Sequence, residues 1–205
     1  MLTKPPPKSR RNPERTRERL LQAAFDEVHR SGFRGTDLDS ILGVAGVTKG
    51  ALYHHFDNKE ALGYAVVDEV IAGSMLNKWL LPLRNAEDPI VALAGLVESE
   101  PMTPNDIALG CPLNNLSQEM SPLDEGFRKR LAKVFDDWHG GIAAALREGQ
   151  KRGLVRGDLQ PSDAAWFFIA AYEGYVSLAK TSRDQKVWKV GKKMLKRYLA
   201  SLRPS

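Results

Sequence analysis

Apolar residues recur at three- and four-residue spacing along nearly the whole chain, and no stretch shows the period of two that a strand requires. Leu20, Leu21, Ala24, Phe25 and Val28 form one stripe of a helix that starts near Pro13 and runs to about Arg30. Pro13 suits the first helical position, and Gly32 ends the helix. Leu38, Ile41 and Leu42 mark a second, short helix, with Thr36 as its cap and Asp39 as the capping-box partner. The chain then turns through Gly43-Val44-Ala45-Gly46-Val47, where Gly46 is free to become left-handed. A third helix begins at Thr48, with Leu52 and Phe56 inward and Thr48, Lys49, Tyr53 and His54 outward. Asp57 and Glu60 read as the capping pair of a longer helix that carries Ala61, Leu62, Ala65, Val66 and Val70 to about Leu81, where Pro82 stops it.

Beyond that point Pro residues punctuate the chain. Asp88-Pro89 opens a helix that ends before Pro101, and Met102–Gly110 reads as a loop. Cys111 takes the N-cap of a short helix with Pro112 at its first position, and Ser121-Pro122 repeats the device for a long one. Phe127, Leu131, Val134, Trp138, Ile142 and Leu146 line that long helix, with Gly140-Gly141 predicting a kink or a close contact. Pro161 and Asp184 open the last two helices, and Ala170, Ala171 and Gly174 permit close helix approach. The pattern predicts an all-α protein: a basic arm over 1–12, a three-helix helix-turn-helix domain over 13–60, and a helical domain over 61–205. The boundary falls inside a helix.

The stretch AGVTKGALYHHFDNKEAL, Ala45–Leu62, gives this pattern a name. It resembles the DNA-binding signature of the TetR/AcrR family of bacterial transcriptional regulators. The resemblance implies an all-α homodimer, with an N-terminal DNA-binding domain and a C-terminal ligand-sensing and dimerisation domain. It also implies that the second helix of the motif lies in the major groove, that Tyr53 and Lys59 clamp phosphates, and that the last two helices pair between subunits. Thr36 and Lys59 stand at helix N-termini, which attract phosphate, and Thr48, Lys49 and His54 project from the reading helix. Gly50 lets that helix approach DNA closely. Around Gly110 the chain is similar to the NemR-type regulators of reactive-electrophile responses, which carry a cysteine in a GC-x-x-x-x-L-S-x-E setting; Gly110, Cys111, Leu116, Ser117 and Glu119 match it.

Charge sharpens the reading more than composition does. The chain has 205 residues, 42% hydrophobic and 27% charged, with a net charge of +5. Residues 1–19 are strongly basic, 60–126 carry only Lys78 and Arg84 as cations, and Lys186–Arg197 are basic again. A basic N-terminal arm suits DNA and is expected to be disordered without it, whereas the basic last helix reads as a solvated face. No apolar run approaches the roughly 20 residues that cross a bilayer, and the N-terminus lacks the apolar core of a signal peptide. The expected location is cytoplasmic.

Enzyme chemistry finds little footing. His54 and His55 are adjacent and point about 100° apart on a helix, which does not suit one metal, and no strand precedes a phosphate loop. No catalytic residue, cofactor or metal is expected. A small-molecule pocket is expected among the helices of the second domain, with Cys111, Asn115, Trp138 and Tyr172 as ligand-binding candidates and Met102, Met120, Asn114, Gln118, His139 and Trp166 beside them. Cys111, at a helix N-terminus, reads either as a thiol of lowered pKa that senses oxidants or electrophiles, approached by Lys180, or as an inert small hydrophobe. The partners expected are a double-stranded operator, an effector and a second copy of the chain. The alternative function is a ligand-insensitive, structural DNA-binding protein.

Overall fold

The computed structural model describes residues 13–204, so the basic arm over 1–12 lies outside the described residues. Among the described residues the ordered elements are all helical. Contacts divide the chain into two compact units, one ending at Val66 and the other beginning at Val67.

The first unit holds α1 (Pro13–Gly35), α2 (Leu38–Ala45), α3 (Lys49–His55) and the start of α4 (59–84). Gly32 breaks α1 with φ 75° and ψ 164°, which turns buried Phe33 back onto the core. Leu20, Leu21, Ala24, Ile41, Leu52, Phe56 and Leu62 are buried together, one stripe from each helix. The cap of α2 is one residue later than the sequence suggests. Asp37 accepts from the backbone N–H of Asp39 and Ser40, while Thr36 is buried and its hydroxyl donates to the Gly32 carbonyl at 2.6 Å. The same shift occurs at α4, where Asn58, not Asp57, caps by accepting from Ala61 N at 2.7 Å.

α4 is a helical run composed of Lys59–Ala65, the π-helical Val66–Ile71, Ala72–Met75, the π-helical Leu76–Leu80 and Leu81–Arg84. Pro82 therefore does not stop it at Leu81. A wider π turn over Leu76–Leu80 precedes Pro82, which sits in the first turn of the following α-helical segment, where its missing N–H is tolerated, and the helix ends at Arg84.

The second unit continues with α5 (Pro89–Ser99), α6 (Pro104–Leu109), α7 (Pro112–Met120), α8 (Glu125–Lys151), α9 (Pro161–Ser182) and α10 (Gln185–Ser201). The expected loop over 102–110 contains α6, started by a capping box: the Thr103 side chain accepts from Asp106 N, and the Asp106 carboxylate accepts from Thr103 N at 2.8 Å. Ser121-Pro122 does not open α8. Ser121 closes α7, and Asp124 caps α8 by accepting from Phe127 N at 2.8 Å, the position that sends Phe127 into the core. α8 passes Gly140-Gly141 without a break. Contact accounts for one of the two glycines: a side chain at Gly141 would collide with Leu80 of α4, while Gly140 is open. Gly191 of α10 makes room in the same way for Tyr175, whose Cγ would lie 2.6 Å from an added Cβ.

The core of this unit is aromatic. Trp79, Trp138, Phe168, Tyr172 and Trp188 are all buried. Tyr172 meets Trp79, Trp138 and Trp188 edge-on, with ring centroids 5.1, 5.7 and 5.5 Å away.

Candidate nucleic-acid interface and effector site

In the first unit, Gly46 takes φ 60° and ψ 43°, and its N–H closes onto the Gly43 carbonyl. This left-handed turn sets α3 on α2. Thr48 then caps α3, its hydroxyl accepting from Ala51 N at 3.3 Å. With Leu52 and Phe56 buried, the opposite face presents Thr48, Lys49, Gly50, Tyr53 and His54 to solvent. Nothing lies within 4 Å of a Cβ added at Gly50. A recess of about 530 Å³ runs beside this face, walled by Thr16, Arg19, Gly46, Thr48, Gly50 and His54. Arg19 reaches across to the Ala45 carbonyl at the end of α2. His55 is held below its usual pKa by burial and by His54 and Arg17.

Two of the residues expected at DNA are spent in the protein. Thr36 is buried, and both its hydroxyl and its N–H are bonded within the turn after α1. Lys59 Nζ donates to the Thr36 carbonyl at 2.8 Å and to the Arg34 carbonyl at 3.5 Å, and lies 5.0 Å from the Phe33 ring centroid. Its charge sits where α1 ends, a favourable place for a cation.

In the second unit the expected ligand residues fall into two groups. Cys111 stands at the start of α7, and Gly110 before it has φ 72°; a side chain there would lie 2.8 Å from Lys180 Cδ. Lys180 Nζ donates to Asn115 Oδ1 at 2.9 Å, and Asn115 Nδ2 donates to the Leu109 carbonyl. Trp138 and Tyr172 are in ring contact deeper in the core. His139 and Trp166 are elsewhere, stacked on each other at 4.1 Å near Ser162. Met102 and Met120 are buried, and Asn114 bonds Ser177. None of the four ligand candidates lines the recess of about 670 Å³ between α4 and α8, whose walls include Leu76, Leu80, Val134 and Arg152.

The sequence reading missed Glu173, Glu100 and Lys78. Glu173 is buried, and neither of its carboxylate oxygens has a hydrogen-bond partner among the described residues. Burial pushes its pKa up to about 7, against the pull of the Cys111 thiol and Lys78. Glu100 accepts from Tyr172 Oη at 3.0 Å and pairs with Lys78. A lone carboxylate in the apolar run of α9, at a core-facing position, was the available signal. The expected lowering of the Cys111 pKa is not met: burial and the Glu173 carboxylate push the thiol well above its ordinary value, which outweighs the helix terminus. Among the described residues no cluster of ligands suits a metal, and no helix is long and apolar enough to cross a membrane.

Comparison with known proteins follows the same division. Residues 20–66 match the family model of bacterial regulatory proteins of the tetR family, and residues 96–195 match the tetracyclin repressor-like C-terminal domain. AcuR, a transcriptional regulator of Cereibacter sphaeroides, is 30% identical over 87% of this chain and 88% of its own. The chain belongs to the TetR family. The transcriptional repressor DhaR of a Mycobacterium species is 28% identical over 83% of this chain and 85% of its own. The crystal structure of reduced NemR from E. coli superposes with a TM-score of 0.77 at 26% identity, covering 89% of this chain and 95% of that one.

Proposed function

We propose that this TetR-family regulator is a homodimeric repressor that holds a pseudo-palindromic operator and releases it when an effector enters the second unit. The observation that carries the reading is the exposed polar face of α3, raised on buried Leu52 and Phe56 and set by the Gly46 turn. Such a helix fits the major groove. Lys49 and His54 donate to base edges or phosphates, Thr48 and Tyr53 hold the backbone, and Gly50 admits the DNA. The N-terminus of α4 faces phosphate, while Lys59 fixes the turn after α1 that supports it.

The dimer reading rests on α9 and α10. Phe167, Leu178, Val190 and Met194 are large apolar residues exposed at 56%, 60%, 52% and 43%. Ala170 and Gly174 are exposed between them, and a Cβ at Gly174 would meet nothing within 4 Å. A second copy covering this face gives two reading helices and hence an operator of two half-sites. α4 starts in the first unit and carries Lys78 and Trp79 in the second, so it supplies the element that an effector acts on.

The test is selection of bound duplexes from a random pool. An inverted repeat is expected. Recovery of unrelated sequences would favour the alternative of a structural DNA-binding protein.

A further inference from the structure

The core of the second unit holds polar groups that folding leaves without partners. Glu173, Trp138 and Trp188 are all more than nine-tenths buried. Among the described residues, both Glu173 oxygens and the two indole Nε1 atoms have no hydrogen-bond partner. Each such group costs about 1–3 kcal/mol in a finished core, so each calls for a partner that folding does not supply. The charges around them are unequal. Two carboxylates, Glu100 and Glu173, act in one neighbourhood, with Lys78 as the ammonium. Lys78 is already matched: it pairs with Glu100 and lies 5.7 Å from the Trp79 ring centroid. Glu173 feels the pull of Lys78 and of the Cys111 thiol, and a thiol is a weak donor. In the same core Trp79, Trp138 and Trp188 cluster on Tyr172, and aromatic faces attract cations.

We infer that the effector of this regulator is a small organic cation, an amine or amidine on an apolar body with an oxygen acceptor, whose positive group pairs with Glu173. The inference rests on the ligand-responsive reading above and adds the chemical class. The ligand supplies the second cation of the site, as Lys78 supplies the first. Its oxygen takes an indole N–H. Lys78 and Trp79 belong to a π-helical turn of α4, a backbone form found often at functional sites.

Cation binding is linked to a proton. Cys111, Lys78, Glu100 and Tyr172 are the titratable groups acting with Glu173 here, and Glu173 titrates near 7. A cation beside the carboxylate lowers that value, so binding at pH 7 releases a proton.

The test uses the full chain and three probes of one shape: para-methoxybenzylamine, para-methoxybenzyl alcohol and para-methoxybenzoate. Tryptophan fluorescence reads binding without DNA, so a failure of operator binding strikes the regulator reading and not this one. The amine is expected to bind at least about tenfold tighter than the alcohol or the acid, a difference within the reach of one charge pair. Glu173→Gln should erase the preference. Calorimetry in buffers of different ionisation enthalpy should show proton release with the wild-type protein, a result that stands even if the variant does not fold. Equal or tighter binding of the benzoate, no binding of the amine, or binding without proton release would overturn the proposal.

Discussion

Lys59 Nζ donates to the Thr36 carbonyl at 2.8 Å, joining the first residue of α4 to the turn that separates α1 from α2. The family signature marks Lys59 for phosphate, but the geometry spends its ammonium on backbone carbonyls at the end of α1. Lys59→Ala should therefore weaken binding to all duplexes alike by misplacing α4, with the salt slope unchanged. It should also destabilise the first unit by about 1 kcal/mol, the net worth of a hydrogen bond. Denaturant melts and affinities across a salt series check both. A slope smaller by about one with stability intact would instead put Lys59 on a phosphate.

Gly50 separates reading from folding. Its surroundings are open, so Gly50→Gln should leave the melting temperature within a degree or two, since exposed helix positions tolerate changes of about 0.5–1 kcal/mol. The new side chain projects from the face assigned to DNA, and operator affinity should fall at least about tenfold. Equal affinity would move the interface away from α3.

Glu173 makes stability depend on pH. Its folded pKa of about 7 lies above the ordinary carboxylate value, so the folded state holds a proton that the unfolded state has lost. Stability from this group is full below the ordinary carboxylate pKa and falls as pH rises towards 7, levelling above it. Glu173→Gln removes the charge and keeps the shape. It should be more stable than wild type at pH 8, by up to about 3 kcal/mol, and close to it at pH 4.5. Equal stability at both values would show the carboxylate to be hydrated or paired.

Gly191→Ala tests the close packing of α9 on α10. The added Cβ would lie 2.6 Å from Tyr175 Cγ, so the ring must move. Overpacking of this kind costs about 1–3 kcal/mol, measurable by urea denaturation at fixed protein concentration. Phe167→Glu on the exposed face of the same helices should leave the subunit fold intact and lower the mass in sedimentation to that of a monomer.

What the sequence made legible follows from what is local. The stripe Leu20-Leu21-Ala24 and the Gly46 turn depend on residues within one or two helical turns, and both stand as read, whereas the helix read as starting at Thr48 starts at Lys49 with Thr48 as its cap. Caps could be placed only to within a residue where neighbouring candidates compete. Thr36 and Asp37 are both good caps, and burial of Thr36 decided between them. α6 was hidden because a Pro-rich stretch reads as a loop unless Thr103 and Asp106 are taken as a pair. Long-range matters were illegible. Nothing near Cys111 in sequence announces Glu173, which lies 62 residues on and reverses the expected direction of its pKa. Likewise Pro82 reads as a stop until the π turn ahead of it is known.

The central claim is that the exposed face of α3 reads sequence. The direct measurement is the affinity of the full chain for the selected duplex against a scrambled duplex of the same length, at one physiological salt concentration. A ratio of about a thousand or more is expected for a specific regulator, falling sharply with Lys49→Ala and His54→Ala together, the two residues assigned to base edges. A ratio near one, or a ratio that survives the double substitution, would contradict the account.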